Sequence, residues 1–147
     1  MAENATILVA DDDSNDLFLL KLAVKNSGLG HLVTTVNDGE EAIDYLSGNP
    51  PFEDRTRAPL PDLFLLDLKM PKKNGFEVLL WLQGQPGLNH IPVVVLSGST
   101  LEMDKEEAIG LGARDYIIKP FESEKFVELI RELDARWLSG KVGAKSQ

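Results

Sequence analysis

Two stretches of the chain, 62–66 (DLFLL) and 92–96 (PVVVL), are apolar at every position after their first residue. A strand sends alternate side chains to opposite faces, so an unbroken apolar run settles only where both faces of its sheet are covered. A parallel sheet clad with helices on both sides provides that environment, and a half-solvated antiparallel sheet does not.

The remaining segments supply the cladding. Thr6–Ala10 (TILVA) is a β-rich run that stops at Asp11, Asp12 and Asp13. Over Ser14–Ser27, Leu17, Leu20 and Val24 recur at helical spacing with Asp16, Lys21 and Lys25 between them, until Gly28 and Gly30 end the helix. Residues 31–36 (HLVTTV) read as a second strand, and Asp38 can cap a helix running to about Leu46. Gly75–Gln83 is dense in Phe76, Val78, Leu79, Leu80 and Trp81, as a helix packed on a sheet should be. Ser99 and Glu102 have the spacing of a capping box for a helix reaching about Leu111. Residues 116–118 give a short fifth strand, and Phe126, Ile130, Leu133 and Trp137 form the stripe of a last helix. Five strand–helix units in succession predict an α/β fold, a doubly wound five-stranded parallel sheet with five helices.

Segment 47–61 departs from this rhythm. It holds four of the eight prolines, too many for a helix or an inner strand, and is expected to be a long loop. At 147 residues the chain fits one domain. The expected division is a tail at 1–5, a domain at 6–139 and a polar tail at 140–147.

Composition narrows the function. The 15 basic residues against 24 acidic ones leave a net charge of −9, which disfavours nucleic acid as a partner. Absence of cysteine removes disulfides, thiol chemistry and Cys-type zinc sites. The longest apolar run, 78–82, is far short of the ~20 residues that span a bilayer, and no secretory signal opens the chain. A soluble cytoplasmic protein with no membrane contact is expected. His31 and His90, lacking acidic or thiol neighbours in sequence, are expected at the surface, and the apolar groups around Phe18–Leu20 and Trp81 in the core. Gly84, Gly87, Gly110 and Gly112 form no phosphate-cradling pattern, which argues against a nucleotide site.

The chemistry sits at the strand ends. The first strand closes on Asp11 and Asp12, the third on Asp67, the fourth on Ser97 and the fifth on Lys119. In an open α/β sheet, sites form beyond the carboxyl ends of the strands, so these side chains should converge in one cleft. Three carboxylates together repel unless a cation offsets them, and hard oxygen ligands of this kind suit Mg²⁺. An aspartate flanked by that cation, an ammonium and a hydroxyl is equipped to accept a phosphoryl group, with Asp67 as the nucleophile. Taken singly, each residue has a plainer reading. The acids can cap a helix, Asp67 with Pro71 and Gly75 can be a turn, Ser97 can be a turn serine and Lys119 a solvated lysine. Four separate loops placing such residues at one sheet edge favour the joint reading.

These pieces resemble the receiver (response regulator) domain of bacterial two-component signalling. The acidic pair lies in LVADDDS, the acceptor in LLDLKMPKKNG, the hydroxyl in VVVLSGS and the lysine in YIIKPF. Asp67 and Ser97 are 30 residues apart, and Ser97 and Lys119 are 22 apart. The likeness covers about Thr6 to Leu138. It implies a Mg²⁺ site from Asp11, Asp12, Asp67 and the backbone carbonyl of Lys69. It also implies phosphorylation of Asp67 by a sensor histidine kinase, and a conformational switch formed by Ser97 and Tyr116. Pro71 and Gly75 would shape the loop after the acceptor, and a cis Lys119–Pro120 peptide would direct the lysine. The long loop, with KMPKKNG and HIPVVVLS, resembles the stand-alone regulators that partner bacterial phytochromes. Regulators of this kind signal by docking on another protein or by passing phosphate onward. They often pair as homodimers, here through the fourth helix, fifth strand and fifth helix, with Lys105, Asp115, Arg131 and apolar atoms near Tyr116 available for contact.

Two other readings stay open on the residues. A dehalogenase-like phosphatase also uses an aspartyl nucleophile, but wants an aspartate where this chain has Lys69. A pseudo-receiver acts without phosphate, but usually lacks one of the residues present here.

Overall fold

The computed structural model describes residues 4–139, so most of the two expected tails lies outside the described residues. Five strands, β1 (Thr6–Ala10), β2 (Leu32–Val36), β3 (Leu63–Leu66), β4 (Val93–Ser97) and β5 (Asp115–Ile118), form one sheet. All pairs are parallel and the order is β2-β1-β3-β4-β5. Helices α1 (Ser14–Ser27), α2 (Gly39–Ser47), α3 (Gly75–Gln83), α4 (Glu102–Gly110) and α5 (Ser123–Leu133) connect and clad them. This is the doubly wound arrangement expected from the sequence.

The continuous apolar strands are explained by two separate cores. Leu8, Phe64, Leu66, Val93 and Val95 pack with Ala42, Tyr45, Val78, Leu79 and Ala108 on the side of α2, α3 and α4. Their chain neighbours Ile7, Val9, Leu63, Leu65 and Val94 pack with Leu17, Leu20, Val24, Phe126 and Ile130 on the side of α1 and α5. Edge strand β2 is only half buried, and its sequence, LVTTV, is correspondingly mixed. Among the described residues, no helix is long and apolar enough to cross a membrane.

Helix α1 is capped by the Asp13 carboxylate, which accepts from the N–H groups of Asn15 (3.0 Å) and Asp16 (3.2 Å). Asp38 caps α2 through the Glu41 N–H (2.8 Å). The expected capping box at Ser99 does not form: α4 begins only at Glu102 and has no side-chain cap. Ser99 instead donates its hydroxyl to Asp104 (2.5 Å), a carboxylate in the first turn of the helix. The stripe of α5 runs past Leu133 through a wider turn, Asp134–Leu138, which shifts the helical phase and buries Leu138 while Trp137 is only partly covered.

Two expectations about burial are corrected. Phe18 is 62% exposed, because Leu17 and Leu20 already fill the inward face of α1. His31 is buried: its Nδ1 accepts the Ala5 N–H (3.1 Å), leaving Nε2 to donate to Asp134 (2.7 Å). That partner lies 103 residues away in the chain, and its contact ties the start of the sheet to the C-terminal turn. His90 is exposed, as expected.

Apart from Ser47, the last residue of α2, segment 47–61 forms no helix or strand but is well anchored. The Arg55 guanidinium donates to the carbonyls of Tyr45 (2.7 Å) and Leu46 (2.8 Å) at the end of α2, and to Ala58 (3.0 Å). The Tyr45 hydroxyl donates to the Pro59 carbonyl (2.8 Å), and its ring lies 5.1 Å from that of Phe52.

Gly75 opens α3 directly against the chain that follows β3. A Cβ there would overlap the Asp67 carbonyl oxygen and stand 2.8 Å from the Leu68 Cα, both backbone atoms that cannot swing away. Gly75→Ala is therefore expected to cost about 1–3 kcal/mol, like other overpacked sites. Urea denaturation with an unchanged midpoint would contradict this.

Candidate functional site

The carboxyl ends of β1, β3, β4 and β5 meet at a cleft of about 500 Å³ lined by Asp12, Asp16, Asp67, Ser97, Lys119 and neighbouring loop residues. Parallel pairing brings them together, since Ala10 stands opposite Leu66, and Ser97 opposite Ile118, so each strand delivers its next residue to the same rim. The Asp67 N–H donates to the Ala10 carbonyl (3.0 Å), and the Lys119 N–H to the Ser97 carbonyl (2.8 Å).

Asp11 and Asp67 are 4% and 7% exposed, whereas Asp12 is open to solvent. One carboxylate oxygen from each of the three lies within 4.8 Å of the others. The Lys119 ammonium reaches into this group. Its Nζ stands 2.8 Å from Asp11 Oδ2, 2.9 Å from Asp16 Oδ2 and 3.1 Å from Asp67 Oδ2. The expected cis bond is absent: the cis peptide among the described residues is Pro50–Pro51, not Lys119–Pro120. Three ion pairs aim the lysine without it.

Burial pushes the Asp11 carboxyl up to about 6 and the nearby Asp67 charge adds to this, against hydrogen bonds from Lys119 and the Asp13 N–H. For Lys119, burial favours the neutral amine, but hydrogen bonds to Asp11 and Asp16 and the charge of Asp67 outweigh it and raise its pKa. The ammonium is thus the cleft's resident counter-charge.

Ser97 is buried, its hydroxyl accepting the Ser99 N–H (3.2 Å). A Cβ at Gly98 would meet nothing within 4 Å, so the mouth beside Ser97 is open. Tyr116 lies inward, 8% exposed, its hydroxyl donating to the Ser99 carbonyl (2.8 Å). Lys69 is exposed and lines the cleft, as does Pro120. Asp16 is the member that sequence reasoning passed over. It reads as part of the polar face of α1, but a helix starting at Ser14 places it in the first turn, facing the strand ends.

The chain is similar to known proteins along most of its length. Residues 7–131 match the family model described as the response regulator receiver domain. The chain is 33% identical to the response regulator Rcp1 of Synechocystis sp. over 132 residues, covering 90% of this chain and 88% of that one. It is similar to the crystal structure of the phosphorylated cyanobacterial phytochrome response regulator RcpA, with a TM-score of 0.85 and 37% identity over 94% of this chain and 96% of that one. A Mn²⁺-bound form of Rcp1 aligns with a TM-score of 0.80 and 32% identity, covering 91% and 94% of the two chains. With the fold, the acidic rim and these relatives in agreement, the chain belongs to the response regulator receiver domain family of two-component signalling.

Proposed function

We infer that this chain is a phosphorylation-activated switch. Asp67 takes a phosphoryl group from the phosphohistidine of a sensor histidine kinase or a phosphotransfer protein in a Mg²⁺-dependent reaction, and the product signals by altered docking on another protein. What carries this reading is the buried Asp67 carboxylate at the end of a central strand, facing an open cleft with the Lys119 ammonium 3.1 Å away. Kinship to proteins named as phytochrome response regulators supports a phytochrome-type kinase as the donor.

Asp11, Asp12 and Asp67 form a cluster of hard oxygen donors that fits Mg²⁺, and the receiver resemblance adds the Lys69 carbonyl as a further ligand. When bound, the cation would offset charge on the phosphoryl oxygens. An Asp67 oxygen forms the P–O bond as the P–N bond breaks, the electron pair leaving on the imidazole nitrogen. Lys119 offers its charge to one phosphoryl oxygen, and the Ser97 hydroxyl donates to another. Drawing Ser97 inward would also move the Ser99 backbone that holds the Tyr116 hydroxyl, which couples the site to the face of α4 and β5. The chain acts as acceptor rather than enzyme.

A second copy docking through α4, β5 and α5 belongs to the same reading. Asp115 is engaged within the chain by Arg136 (3.0 Å), so cross-subunit pairs would rest on the exposed Lys105 and Arg131. Tyr116 is buried, and the apolar anchor would come from exposed Met103 and Ile118.

Incubation with acetyl phosphate tests the reading. One hydroxylamine-labile phosphoryl group per chain, dependent on Mg²⁺, is expected. Continuous phosphate release at enzymatic rates would favour a phosphatase, and no label at all a phosphate-independent module. Sedimentation with and without beryllofluoride tests pairing, and a monomer in both states would remove the homodimer.

A further inference from the structure

The Lys119 ammonium is ion-paired with Asp11, Asp16 and Asp67, donating hydrogen bonds to the last two. Two of these partners are carboxylates that the phosphoacceptor reaction needs elsewhere: Asp11 as a cation ligand and Asp67 as the nucleophile. Asp16 has no such second duty. It stands on a different element, in the first turn of α1, 25% exposed at the side-chain level, with its Oδ2 2.9 Å from Nζ. We propose that Asp16 is a positioning residue for Lys119: it tethers the ammonium beside Asp67 when Asp11 and Asp67 are engaged by other ligands.

A lysine reaches its target through a flexible four-carbon stem, and an ammonium stripped of its fixed partners regains that freedom. Asp16 removes this cost by keeping one charge-assisted hydrogen bond in place, while another N–H is left to meet an oxygen of the incoming group. The plainer view of Asp16 is an acid in the first helical turn that complements the helix dipole. That role would influence stability alone. A third view treats Asp16 only as a nearby negative charge. In that case its removal should tighten the binding of an anion.

The inference rests on the receiver reading, and beryllofluoride with Mg²⁺ separates the two. Wild type should bind this phosphoryl mimic, and a wild type that does not would overturn both. Asp16→Asn is expected to bind it about 5- to 10-fold more weakly, and Asp16→Glu to recover part of the loss. In a Lys119→Met background, Asp16→Asn should produce no further weakening. A second readout uses Mg²⁺ alone, which engages Asp11 and Asp67: the ¹⁵N signal of the Lys119 ammonium in the Mg²⁺-loaded protein should be sharp in wild type and broadened in Asp16→Asn. Equal or tighter binding by Asp16→Asn beside a binding-competent wild type would overturn the proposal and leave the receiver reading intact. So would an Asp16→Asn effect of the same size with and without the Lys119→Met substitution.

Discussion

Asp67→Asn is expected to take phosphoryl labelling to background, at least about 100-fold below wild type. The amide has no anionic oxygen to attack phosphorus, and no other carboxylate in the cleft combines the burial of Asp67 with its position at the end of the central strand β3. Its oxygen can still accept from Lys119, so the variant should fold and melt cooperatively. Quantitative transfer from a phosphorylated kinase or acetyl phosphate, followed by mass mapping of the label, decides the matter. A label that persists at wild-type rate in Asp67→Asn would place the acceptor elsewhere and remove the foundation of the proposed mechanism.

The second large effect concerns Asp11. Its carboxyl is held at about 6 in the fold against an ordinary value of 3.8. The folded state therefore keeps its proton where the unfolded chain has lost it, and stability falls as pH rises through the interval from about 4 to 6. Above that interval the buried charge on Asp11 is a net cost to the fold. In the absence of divalent cations, Asp11→Asn should be more stable than wild type by about 1–3 kcal/mol at pH 7, with the gap closing below about pH 4. Added Mg²⁺ should raise the melting temperature of wild type at pH 7 and scarcely move that of Asp11→Asn. Denaturation at about pH 5 and pH 7 in chelator checks the sign, and a gap that widens on acidification would contradict it.

Both predictions rest on residues visible in the sequence, because strand ends in a parallel sheet announce themselves. Leu63 to Leu66 have no polar position, so they had to lie between two layers of helix, and Asp67 had to emerge at the rim. Asp11, Ser97 and Lys119 were legible for the same reason. What escaped depends on relations that periodicity does not encode. Asp16 needs the rotational phase of α1 relative to β5, and His31 needs a partner that only folding brings near. Phe18 is apolar but falls outside the arc of Leu17, Leu20 and Val24 that faces the sheet. Ser99 had two acids within reach, and local spacing alone favours the wrong one. In each case the missing information is the geometry between elements rather than the identity of the element.

The anchoring of segment 47–61 by Arg55 bears on how any partner would meet that side of the molecule. Fixing the backbone of one residue costs roughly 1–2 kcal/mol, and a surface that orders only on contact charges this against affinity. Here the ordering is completed during folding, through three carbonyls held by one guanidinium and the Tyr45 hydroxyl. Segment 47–61 therefore offers a preformed relief rather than a tether. Recognition there would depend on shape and charge already in place before the encounter.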